Sequence, residues 1–96
     1  MQWIAVATPP FGSIEQFDQV MSKLGHEPEG LEARYVGTTG DGLRVVTLWE
    51  SQEHAERFFT ERLGPALAKV LGPDPAGKPE VLGIEVARTY TRQPVG

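Results

Sequence analysis

The 96-residue chain predicts one α+β domain in the order β-α-β-β-α-β, with residues 1–96 forming a single unit. Three observations carry that reading. Two amphipathic helical stretches each start at a capping serine, two β-rich runs are joined by a glycine-containing turn, and a strand-like segment stands at either end.

Gln2 to Thr8 is rich in β-formers and is stopped by Pro9-Pro10, which predicts a first strand. Ser13 then precedes Gln16 at capping-box spacing, and Ile14, Phe17, Val20, Met21 and Leu24 recur at helical intervals until Gly25. After the polar connection His26 to Gly30, the runs Leu31–Thr38 and Leu43–Glu50 flank Thr39-Gly40-Asp41-Gly42 and predict a hairpin. Ser51 caps a second helix with Glu53 in its first turn and an apolar stripe of Ala55, Phe58, Phe59 and Leu63. Pro65 lacks an N–H and disfavours helical geometry at Gly64, so a break is expected there before Ala66, Leu67, Val70 and Leu71 resume the pattern. Gly72-Pro73 ends it, Asp74 to Pro79 is a loop by composition, and Val81 to Thr91 is the last strand.

This order is the ferredoxin-like arrangement, a four-stranded antiparallel sheet with two helices on one face. The other face should be wet, yet the first strand offers Ile4 and Val6 on one side and Trp3, Ala5 and Ala7 on the other. The third strand likewise divides into Leu43, Val45 and Trp49 against Val46 and Leu48. No further element exists to cover a second apolar face, so a second copy of the chain is the expected cover, giving a homodimeric barrel with its helices outside.

Composition narrows the function. With no cysteine there are no disulfides, thiolate ligands or thiol nucleophile, and a reducing cytoplasm is the natural setting. A net charge of −4 with nine scattered basic residues disfavours nucleic acid, and no apolar run is long enough to span a membrane. Two histidines without ligand spacing and dispersed carboxylates predict no metal site and no cofactor. Ser13 and Ser51 are accounted for as caps, and Gly37, Gly40 and Gly42 surround a hairpin, not a phosphate loop.

The segment Leu48-Trp49-Glu50-Ser51, running into Glu53-His54-Ala55-Glu56-Arg57-Phe58 and on to Glu61-Arg62-Leu63-Gly64-Pro65-Ala66-Leu67, with Pro10-Phe11-Gly12 before helix one, resembles the dimeric α/β barrel superfamily. Within it the chain is most similar to small uncharacterised bacterial members of the antibiotic-biosynthesis-monooxygenase type. The resemblance implies fold more than activity, because that superfamily also holds haem-degrading enzymes, polyketide cyclases and members without catalysis. Its haem-degrading branch has an iron-ligating histidine ten residues after the junction tryptophan. Here that offset from Trp49 falls on Phe59.

The resemblance makes Trp49 a candidate pocket wall, with plain core packing as its alternative. Phe58, Phe59 and Tyr35 would shape the same substrate-binding pocket, and His54, in the first turn of helix two, is the candidate catalytic residue for proton transfer, against a solvent-facing role. His26 lies in a loop and is expected at the surface. Arg34, Arg44, Glu85, Arg88 and Tyr90 either converge in a pocket or pair across strands. Two functions stay open: a homodimer binding a small apolar or aromatic molecule, as a cofactor-independent monooxygenase or polyketide cyclase of secondary metabolism, or a non-catalytic interaction module with a packed interior. A cavity of ~300–1,000 Å³ with convergent polar groups favours the first, and a filled interior the second.

Overall fold

The computed structural model describes residues 1–9, 12–71 and 80–92. The strands are β1 (Trp3–Thr8), β2 (Leu31–Thr39), β3 (Gly42–Trp49) and β4 (Glu80–Glu85). They form one antiparallel sheet in the order β2-β3-β1-β4, so β1 and β3 are central neighbours as expected. Pro10, Phe11 and the loop proposed for 74–79, with Gly72-Pro73 before it, lie outside the described residues.

Helix α1 (Ile14–Leu24) begins where Ser13 Oγ accepts the Gln16 N–H at 3.2 Å, while the Gln16 side chain approaches the same hydroxyl. Phe17 and Val20 are buried from its apolar stripe, whereas Ile14 on the first turn stays exposed. Arg62 Nη2 donates to the carbonyls of Leu24 and His26 at 2.6 and 2.8 Å, satisfying acceptors that the end of α1 leaves open.

The second helix runs without the expected break. Helix α2 (Gln52–Phe58), a π-helical turn (Phe59–Leu63) and α3 (Gly64–Leu71) are continuous, and the Gly64 N–H donates to the Phe59 carbonyl, five residues back. The reason is steric. A proline ring clashes with both the N–H and the Cβ of the residue before it, and Gly64, lacking a Cβ, takes helical angles of φ −54° and ψ −54°. The widened turn absorbs the hydrogen bond that Pro65 cannot make.

Under the helices, Ala5, Trp49, Ala55 and Phe58 form one buried cluster, and Val20, Ala66 and Leu67 form a second where α1 meets α3. The opposite sheet face is apolar and uncovered. Register places Ile84, Ile4, Leu48 and Ala33 in one row across all four strands, and Leu82, Val6, Val46 and Tyr35 in the next. Tyr35, Leu82 and Ile84 are 69%, 64% and 43% exposed. The last strand is shorter than expected: pairing ends at Glu85, and the Val86 N–H donates to the Gln2 carbonyl just beyond it. Among the described residues, no helix is long and apolar enough to cross a membrane.

Candidate functional site

Between the sheet and the helices lies a cavity of about 130 Å³. Its walls are almost wholly carbon. The sheet contributes Ala7, Val45 and Val81, α1 contributes Phe17 and Val20, and Phe58, Phe59 and Leu63 come from α2 and the π-turn. Among the described residues, Arg34 and Thr47 are its polar members. The volume lies below the ~300–1,000 Å³ common for drug-sized ligands, so the interior is neither filled nor roomy.

Trp49 is fully buried but does not line this space. It stands behind the wall, with ring centroids 5.2 Å from Phe58 and 6.2 Å from Phe59, and so props the two aromatics that do face the cavity. Its indole N–H donates to Thr47 Oγ1 at 2.7 Å, and Thr47 donates in turn to the Ala5 carbonyl at 3.4 Å. A buried indole requires such a partner. Thr47 escaped the reading of the sequence, although a hydroxyl two residues earlier on the same strand face is the position from which Trp49 can be met.

Tyr35 is not in the cavity. Leu31 packs into the helix-side core, and strict alternation from it would carry Ala33 and Tyr35 to that same face. A bulge intervenes: Leu31 pairs with Trp49, but Ala33 pairs with Leu48. The extra residue reverses the alternation, so Tyr35 joins the open face and Arg34 turns inward. Arg34 then meets Glu27 through two parallel contacts, Nη1 to Oε1 at 3.2 Å and Nη2 to Oε2 at 2.6 Å. This hydrogen bond from Arg34 is the main force holding the Glu27 carboxyl below its ordinary range, helped by the charges of Arg34 and Arg62 and opposed by partial burial. Of the other polar residues expected on strands, Arg44 and Arg88 bond neighbouring carbonyls and Glu85 and Tyr90 are exposed, with Arg88 and Tyr90 lying beyond the end of β4.

His54 lines a different space, a polar cleft of about 310 Å³ shared with His26, Pro28, Glu29, Arg57, Phe58, Glu61 and Arg62. Its Nδ1 lies 2.7 Å from Ser51 Oγ, the oxygen that also caps α2, and its Nε2 lies 3.7 Å from Glu50. A Cβ at Gly30, where φ is +88°, would run into the imidazole, so this glycine lets the chain pass against the ring. The structure therefore brings Phe58 and Phe59 together at the cavity, sets Trp49 behind them, and leaves His54 in the adjoining cleft, with Phe58 common to both. Among the described residues no group of three or more His, Asp or Glu side chains could hold a metal.

No family model matches the chain, and no curated protein does. Solved structures do. The chain is similar to a candidate antibiotic biosynthesis monooxygenase from Caulobacter crescentus, at 17% identity over 91% of each chain and a TM-score of 0.62. It is similar to a monooxygenase of Streptomyces coelicolor in complex with nanaomycin D, at 19% identity over 96% of this chain and 92% of that one, with a TM-score of 0.56. It also matches a Mycobacterium tuberculosis protein at 10% identity, covering 95% of this chain and all (100%) of the other, with a TM-score of 0.65. These identities speak to fold: the chain has the ferredoxin-like fold of the antibiotic-biosynthesis-monooxygenase-like proteins.

Proposed function

We propose that the chain works as a cytoplasmic homodimer that binds a small, largely apolar molecule between sheet and helices and oxidises it as a cofactor-independent monooxygenase. The observation that supports this most is the carbon-walled cavity kept open beside Phe58 and Phe59. A domain of 96 residues has little core to spare, so a space left unfilled in it invites a use. The nanaomycin D complex of the similarly folded Streptomyces coelicolor monooxygenase adds weight to a ligand-binding role.

The chemistry that suits such a site is oxidation of an electron-rich ring by dioxygen. A phenol loses its O–H proton and one ring C–H, that carbon gains one oxygen atom, and the second oxygen leaves as water, yielding a quinone. The substrate supplies every electron. The protein's share is to exclude water and orient the ring against Phe58 and Phe59. His54 lines the adjoining cleft and not this cavity, so it acts as proton acceptor in this reading only for a ligand that extends past Phe58. Dimerisation would bury the rows from Ile84 to Ala33 and from Leu82 to Tyr35.

The test combines light scattering at micromolar concentration with a thermal-shift and oxygen-consumption screen of phenols and hydroquinones. A dimer is expected, with a binder at ~100 times its Kd adding about 2.7 kcal/mol of stability. A monomer that no ring compound stabilises sinks the proposal.

A further inference from the structure

Among the described residues that line the cavity, one group is able to select among ligands, and that group is already paired. Arg34 carries five N–H donors in a planar fork, of which the Glu27 carboxylate takes two. Arg34 Nε makes no hydrogen bond among the described residues, and no buried side-chain nitrogen or oxygen there lacks a partner, so Nε reaches accessible space. The guanidinium side chain is only 21% exposed, and the bulge turns it towards the cavity wall. Thr47, the other polar member, has its hydroxyl engaged by Trp49 and Ala5. Arg34 is therefore the polar group on the described wall with a donor left for a ligand, and most of the rest of that wall is carbon.

Size and charge narrow the class further. An engineered apolar cavity of about 150 Å³ is known to take a benzene molecule, so 130 Å³ is on the scale of a single ring. Because Glu27 neutralises Arg34, a ligand carboxylate would bring an unmatched negative charge into an apolar space, which is costly. A neutral oxygen meets no such penalty. Resting on the cavity being the binding site, we infer that its ligand is a neutral, single-ring aromatic whose carbonyl or hydroxyl oxygen accepts a hydrogen bond from Arg34, with Glu27 setting the preference against anions.

Four probes of graded chemistry test this by titration calorimetry: ethylbenzene, acetophenone, benzoate and 9-fluorenone. The dimeric wild-type chain should bind acetophenone about tenfold or more tighter than either ethylbenzene or benzoate, the span expected of a hydrogen bond to a charged donor. Arg34→Met should bring acetophenone down to the affinity of ethylbenzene and leave ethylbenzene unchanged. Glu27→Gln, at a carboxylate whose side chain is 70% exposed and so tolerant of change, should raise benzoate affinity about tenfold, which a merely structural pair would not do. Preference of the wild type for benzoate, or indifference to both substitutions, overturns the docking on Arg34. Binding of 9-fluorenone without acetophenone overturns the single-ring limit while leaving the cavity as a binding site. Silence from all four probes overturns this inference, whereas the proposed oxidation falls only if its phenol and hydroquinone screen is silent too.

Discussion

Of the two faces of the sheet, one carries Ala5, Thr47 and Trp49 beneath the helices, and the other carries Ile4, Val6, Val46 and Leu48 in the open. Both are apolar, and their neighbours differ. On the covered face a large aromatic is sealed by α2, its indole hydrogen-bonded, with a small cavity beside it. On the open face medium-sized β-branched and leucine side chains form straight rows without a polar interruption across the two central strands. The covered face holds a shape of its own, and the open face is the apolar surface that the proposed twofold contact would bury.

Substitutions can break this contrast from either side. The largest effect is expected at Trp49→Ala, where loss of a fully buried indole that props Phe58 and Phe59 should cost about 3–5 kcal/mol in denaturant unfolding. A loss below about 1 kcal/mol would mean that the covered face is not the stabilising one. Next comes Val46→Lys, at the middle of the open face, which should leave the fold measurable by circular dichroism but weaken the proposed dimer roughly thirtyfold, or about 2 kcal/mol. Unchanged light scattering for that variant would remove the open face from the interface. Thr47→Val is milder. It keeps the side-chain shape but leaves the Trp49 N–H buried without an acceptor, so about 1–3 kcal/mol of stability should go, without effect on the dimer.

The contrast also separates what the sequence makes legible from what it hides. Element order, both serine caps, the turn at Thr39 to Gly42 and the apolar character of both faces follow from local rules, because caps, turns and period-two alternation act over a few residues. The cavity's membership followed only in part, Phe58 and Phe59 lining it while Trp49 and Tyr35 do not. Two one-residue irregularities decide it: the bulge between Leu31 and Ala33 exchanges Tyr35 for Arg34, and the π-turn carries the helix through Gly64-Pro65 with Phe59 and Leu63 against the cavity. A bulge is a tertiary accommodation with no dedicated residue type, and a proline reads as a helix stop unless the glycine before it is weighed. Trp49 illustrates a third limit, since lining a cavity and propping the residues that line it demand the same side chain at the same strand end.

The smallest predicted effect concerns the Glu27–Arg34 pair, at the rim of the covered face. The Glu27 carboxyl sits below its ordinary value of 4.5 because the Arg34 guanidinium bonds its charged form, and partial burial only tempers that. A carboxyl whose folded pKa is depressed binds fewer protons in the folded chain than in the unfolded one, so it contributes stability above the unfolded value. That contribution is lost as pH falls through the folded value. Glu27 is mostly exposed, and solvent screening keeps the whole effect within the ~0–1 kcal/mol of surface pairs. The wild type should therefore melt slightly above Glu27→Gln near pH ~7, and the two curves should meet by about pH 2. Glutamine keeps the shape and an acceptor oxygen but never titrates, so the closing of the gap isolates the charge. A gap that persists unchanged into acid would show that Glu27 holds Arg34 by packing alone. The preference for neutral ligands would then lose the charge coupling it rests on.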